Sequence, residues 1–289
     1  MSEYKSILVP VGDGALAGPA LDAAFAVAAP FAAHVSGLHV RLDPALAVPL
    51  VGEGMSGAMV DELMAEAERQ SRMGAQTARQ AFDEACARHG AVAAMAPTGT
   101  SVTVEWIEVV GREEDVAVRA SRLSDLTVVG RGEGESEATP SMTLNAVLME
   151  SGRPILVVPQ ALPGPFGDNI AIAWNASAEA ARAVTFAMPM LKRAKTVTVI
   201  QVAEDDHTSA LPGHELSTYL AWHGIEAASH TSSAYASHAA DALVNECGDL
   251  GIDLLVMGAY THSRLRQLIF GGVTRRMLQA APFPCLMSH

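Results

Sequence analysis

The sequence lacks most of the features that announce a chemistry outright. Only three cysteines occur in 289 residues. Cys86, Cys247 and Cys285 lie far apart with no paired spacing, which excludes a disulfide framework and a cysteine-built zinc site and suits a reducing cytosol. The N-terminal run MSEYKSILVPV has no signal-peptide layout. No apolar stretch is long enough to cross a bilayer; the longest apolar helical pattern, Ala23 to Ala33, is short and contains Pro30. Excess basic charge is missing too: the net charge is −13 and the pI near 5.1, which argues against general nucleic-acid binding. HExxH and G-x-S-x-G are both absent, and with them the common metalloprotease and nucleophile-elbow chemistries. No acid–base pair and no triad emerges. These absences predict a cytoplasmic protein with neither membrane nor nucleic acid as a partner.

What is present is core-forming. Hydrophobic residues make up 49% and charged residues 18% of the chain, a globular composition, and the length suits two domains of about 150 residues. Short apolar runs alternate with helical patterns. Strands are predicted at Ser6–Val11, Val35–Val40, Val102–Val109, Leu126–Val129 and Ile155–Val158. Helices are predicted at Leu16–Phe31, Asp61–His89, Glu113–Leu123 and Met142–Glu150. In the long second helix, Leu63, Met64, Met73 and Phe82 are the expected core contacts. Residues 160–168, QALPGPFGD, read as a Pro/Gly linker. The order then restarts, with strands at Ile170–Trp174, Thr196–Val202, Ile225–His230, Leu254–Met257 and Pro284–Met287. Helices between them are expected at Ser177–Leu191 and His238–Cys247, with a short one at most in Pro212–Gly224.

This is an internal repeat. Asp125-Leu-Thr-Val-Val-Gly130 matches Asp253-Leu-Leu-Val-Met-Gly258, and Pro154-Ile-Leu-Val-Val matches Pro284-Cys-Leu-Met-Ser. Alternation of strand and helix implies parallel sheets with right-handed crossovers, covered on both faces. The predicted halves are 1–160 and 168–289. In such sheets ligands bind beyond the carboxyl ends of the strands, where the strand order reverses.

The segment Gly258–Thr274, GAYTHSRLRQLIFGGVT, stands at such an end. It follows a buried strand and runs into Gly271-Gly272-Val273-Thr274, where a helical pattern begins. A helix start offers free N–H groups and positive dipole potential to an anion. Arg264, Arg266, Arg275 and Arg276 crowd the segment, and no Asp or Glu occurs from Leu254 to His289. In an acidic chain this reads as a local phosphate cradle, although glycine in a βα turn also serves geometry alone. Ser177 reads as the N-cap of its helix rather than a nucleophile. The scattered histidines His207, His214, His223, His230, His238 and His289 read as surface or loop residues, and His262 alone falls in the cradle.

On these residues the chain resembles the universal stress protein family in its tandem two-domain form, over essentially its whole length. In that family the fourth strand runs into G-x2-G-x9-G-[S/T], which holds nucleotide phosphates, and a proline-led final strand follows, as Pro282-Phe283-Pro284-Cys285 does here. Counted from Gly258, the second motif glycine falls on Thr261, the third on Gly271 and the Ser/Thr position on Gly272, with Thr274 two residues on. The family aspartate that meets the adenosine half falls on Asn175. The resemblance implies an α/β fold of two tandem, doubly wound, Rossmann-like domains packed as a pseudo-dimer, with the final strands pairing between domains. It also implies one ATP-like adenine nucleotide, at Asn175, Gly258, Thr261, His262, Arg264, Gly271, Gly272, Val273 and Thr274. In the first repeat the corresponding loop is shorter and carries Glu133, Glu135 and Glu137, which repel phosphate.

Three functions fit this pattern. The first is a stress-response regulator that binds the nucleotide without fast turnover. The second is a slow ATPase using Arg264, His262 and a bound Mg²⁺. The third is a ligand-free interaction protein that has kept only dimerisation. The nucleotidyl-transfer signatures SGGxDS, HIGH and KMSKS are absent, which disfavours those relatives of the architecture.

Overall fold

The computed structural model describes residues 3–12, 16–41, 57–94, 98–131, 142–162, 164–202, 212–232, 239–260 and 272–289. The β-branched and leucine-rich runs form strands because both faces of the sheet are covered. In the first half these are β1 (Ser6–Pro10), β2 (His34–Arg41), a two-residue β3 (Val92–Ala93), β4 (Thr103–Val110), β5 (Leu126–Arg131) and β6 (Ile155–Pro159). The second half supplies β7 (Asn169–Ala173), β8 (Thr196–Val202), β9 (Ala227–Ser232), β10 (Leu254–Gly258) and β11 (Cys285–Ser288). The helices are α1 (Ala17–Ala28), α2 (Gly57–His89), α3 (Glu113–Ser121), α4 (Met142–Glu150), α5 (Ala178–Leu191), α6 (Pro212–Trp222), α7 (Ala239–Asp249) and α8 (Gly272–Ala280).

All eleven strands join one sheet in the order β3-β4-β2-β1-β5-β6-β11-β10-β7-β8-β9. Every pairing within a half is parallel, and the halves meet through the antiparallel pair β6–β11, with Leu156 opposite Leu286. The expected pairing of the two final strands is therefore present. In each half the order reverses once, between β1 and β5 and between β7 and β10. One core layer packs residues of α1, α2, α5 and α6 on one sheet face, and a second packs those of α3, α4, α7 and α8 on the other. Both layers run through both halves.

The repeated hexapeptide has a structural role at each end. Asp125 Oδ2 accepts the backbone N–H groups of Lys5 and Ser6 at 2.7 and 3.1 Å. Asp253 accepts those of Gly167, Asp168 and Asn169 at 2.8 to 3.1 Å. Each aspartate thus pins the start of its half's first strand. At the other end, a Cβ on Gly130 would stand 2.7 Å from Leu16 O, and one on Gly258 would stand 2.6 Å from Ala180 N. Glycine is required there because the first helix of each half passes directly over it.

Two expectations about α2 need correction. Phe82 is buried, seated over Gly37, but Leu63 and Met73 are exposed at 47% and 58%, and Met64 is half-buried. The buried residues of α2 are Ala75, Ala78, Phe82 and Ala85. Helical spacing identified an apolar stripe, but only the C-terminal part of this 33-residue helix lies over the sheet. Glu–Arg pairs such as Glu68–Arg72 support its exposed turns.

Candidate functional site

The carboxyl ends of β7 and β10 lie side by side, because Met257 is in register with Ala173. This is where the strand order of the second half reverses, the place at which open α/β sheets bind ligands. The turn Trp174-Asn175-Ala176-Ser177 leaves β7 there. Ala176 adopts φ 57°, and Asn175 Oδ1 accepts the N–H of Ser177 at 3.2 Å. Ser177 then caps α5, its Oγ accepting from Ala180 N–H at 3.1 Å, with Glu179 in the first turn. The expected capping role of Ser177 is thus observed, and Asn175 has its oxygen turned onto its own backbone.

On the neighbouring strand, Gly258 closes β10 in contact with the first turn of α5. The approach of that helix is what demands glycine here. Ala259 N–H donates to Ser288 O at 2.9 Å, and His289 Nδ1 donates to Ala259 O at 3.1 Å. Arg182 Nε in turn donates to His289 O at 3.0 Å. His289 is therefore a half-buried bracket for the end of β10 rather than a plain surface histidine, while His214, His223 and His230 are exposed as expected.

Tyr260 follows, with φ 55°. Its N–H donates to Thr274 Oγ1 at 3.3 Å, and its phenol donates to Asn145 Oδ1 at 3.1 Å. Burial pushes the Tyr260 phenol above its ordinary pKa, and the nearby Arg275 opposes this. Thr274 is buried at 8% exposure, so its hydroxyl oxygen serves the turn. Val273 is half-buried. Gly272, Val273 and Thr274 form the first turn of α8, which contains no acid. Thr261, His262, Arg264, Arg266 and Gly271 lie outside the described residues, as do Glu133, Glu135 and Glu137 of the first half.

Of the two described arginines, Arg275 is exposed with no carboxylate partner among the described residues. Arg276 is engaged, its Nε donating to Asp241 Oδ1 of α7 at 3.0 Å. Spacing along the chain did not reveal that pair, because Asp241 arrives from another helix. Nor did it reveal Arg131, which is buried and reaches across to Ala281 O at 2.6 Å.

The first turn of α8, beside Arg275, lies with the second core layer, whereas Trp174, whose buried Nε1 has no acceptor among the described residues, packs against the first. No group of three or more His, Cys, Asp or Glu among the described residues could hold a metal ion. No helix among them is long and apolar enough to cross a membrane. Clefts away from this edge include one of about 550 Å³ along α2 beside Arg41 and Glu108, and one of about 150 Å³ lined by Phe31, Phe166 and Arg193.

A doubled, doubly wound, mostly parallel sheet defines a class of tandem α/β proteins. Sequence comparison names the family. The profile of the universal stress protein family matches residues 3–159 and again 168–289, and the chain belongs to that family. A universal stress protein of Synechocystis sp. is 45% identical over 49 residues, 17% of this chain and 17% of that relative. Among solved structures, a universal stress protein from Archaeoglobus fulgidus covers 99% of this chain and 96% of its own, with a TM-score of 0.68 at 16% identity. A Pseudomonas aeruginosa structure assigned to the same family covers 99% and 93%, with a TM-score of 0.56 at 16% identity. At such identity these likenesses concern the fold.

Proposed function

We propose that this chain is a cytoplasmic stress-response protein that binds one adenine nucleotide, ATP with its Mg²⁺, at the carboxyl edge of the second half. It acts through occupancy rather than turnover. The observation that carries this reading is the juxtaposition at the switch point: the Asn175 turn leaves β7 beside the end of β10, and the Tyr260 amide joins that end to the acid-free first turn of α8. Gly272 and Val273 are assigned the phosphate through their backbone N–H groups, with Arg275 adding charge. Thr274 shapes the turn, and Asn175 faces the adenosine half. Thr261, His262, Arg264 and Gly271 complete the proposed set. The working units are 1–160 and 168–289. A homodimer is compatible with the outer edges of the sheet, since the inner edges are already paired within the chain. The three free cysteines suit a reducing compartment.

The test is direct. Protein purified under native conditions and then denatured should release an adenine nucleotide detectable by mass spectrometry, and phosphate release from added ATP should remain negligible. Sustained phosphate release would establish the slow ATPase instead. Absence of any small molecule, together with no binding of added ATP, would leave the interaction protein.

A further inference from the structure

Tyr260 is fixed by three separate constraints. Its backbone sits in the left-handed region at φ 55°, which an L side chain holds only where its surroundings impose it. Its amide is bonded to Thr274 in the first turn of α8, at 3.3 Å. Its phenol is bonded to Asn145 at 3.1 Å, and Asn145 belongs to α4 of the other half. The half-buried ring packs against the core layer shared by the two halves, as does Val273. The residue thus ties the end of β10 both to the first turn of α8 and to the neighbouring repeat.

The first half makes the reciprocal contact with a different residue. Arg131 follows Gly130 as Ala259 follows Gly258, and its guanidinium donates at 2.6 Å to Ala281 O, just past the end of α8. Each half therefore grips the last helix of the other from the carboxyl end of its own switch-point strand. Only in the second half does the gripping residue also bond the helix start proposed to meet the phosphate.

We infer that Asn145 and Tyr260 are positioning residues for the nucleotide site: the first half serves the second by holding the end of β10 and the first turn of α8 in place. The inference rests on the nucleotide reading given above. Its physical basis is pre-organisation. A strand end and helix start already held by the neighbouring repeat spend less of the ligand's binding free energy on ordering.

The test uses the full-length chain and two readouts on Tyr260→Phe, Asn145→Ala and the double variant. The first is hydrogen exchange of the Tyr260 and Thr274 amides without ligand; the second is the ATP dissociation constant. Each single substitution should speed exchange of the Tyr260 amide and weaken ATP about five-fold, the net worth of one neutral hydrogen bond. The double variant should be no worse than Asn145→Ala alone, because Tyr260→Phe removes only a bond that Asn145→Ala has already removed. Asn145→Asp keeps an acceptor before the phenol and should restore slow exchange, which separates positioning from general destabilisation. Unchanged exchange in both single variants at an unchanged Tm would overturn the inference, as would additive losses in the double variant. If the wild-type chain binds no ATP, the nucleotide reading falls. Faster exchange in both variants would still support the clamp between the halves, and unchanged exchange would remove it.

Discussion

At the residue scale, Gly258 carries a structural burden that its motif position conceals. A methyl group there would meet Ala180 N, and one at Gly130 would meet Leu16 O, so both glycines are fixed by packing whatever the loops bind. Gly258→Ala and Gly130→Ala should each destabilise the fold by about 1–3 kcal/mol, the usual range for overpacking. Urea midpoints measure this, and a loss of ATP binding without a shift in midpoint would contradict it for Gly258. The two halves of this site were not equally legible in the chain. Strand, glycine and helix start could be read from local pattern. The contact of Gly258 with α5, the Arg276–Asp241 pair and the Tyr260–Asn145 bond join residues from 35 to 115 positions apart, and no local spacing encodes them. The cysteines give a second residue-scale prediction. Burial raises the Cys86 thiol to about 11 and the Cys247 thiol to about 12, and pushes that of Cys285 higher still. Thiolate is the reactive form, so native protein near neutral pH should resist alkylation at all three, with Cys86, the half-buried one, reacting first. Mass spectrometry before and after denaturation tests this, and rapid native labelling of Cys285 would contradict it.

At the scale of elements, the strands announced themselves because a doubly covered sheet needs continuous apolar runs. The repeat was visible as the matched hexapeptides, and the meaning of their first residue appears only in three dimensions. Asp125 and Asp253 each bond the backbone where β1 or β7 begins. Asp253→Ala removes the acceptor of three N–H groups and Asp125→Ala that of two. Both should cost on the order of 2 kcal/mol, with Asp253 the larger; equal or negligible shifts in thermal midpoint would count against the clamp. In α2, periodicity marked the stripe that holds Phe82 but not where the sheet beneath it stops. Leu63 and Met73 continue that stripe beyond the sheet and are exposed.

At the scale of the whole molecule, the halves share both core layers and the β6–β11 pair, and Tyr4 joins them directly. Its phenol donates to Phe186 O of α5 at 2.7 Å. Burial, helped by the charge of Asp125, raises its pKa far above the ordinary 10.0. The unfolded chain releases this proton near pH 10 while the folded chain keeps it. The folded state then binds more protons, and stability falls as pH rises above about 10. Denaturant midpoints across that range should fall, and Tyr4→Phe should flatten the slope; an unchanged slope would assign it to other groups. The tandem architecture was legible because the repeat and the Pro/Gly linker are both local features. The asymmetry of the two loops was legible as charge alone, three glutamates in one and four arginines with no acid around the other. That asymmetry is the central claim, and calorimetric titration of the full chain with ATP and Mg²⁺ tests it most directly. The account predicts a stoichiometry of about one nucleotide per chain, lost on Arg275→Glu with the fold intact, since a surface charge change usually costs under about 0.5 kcal/mol. A stoichiometry of two would show that the acidic loop binds as well, and a stoichiometry of zero would contradict the nucleotide site altogether.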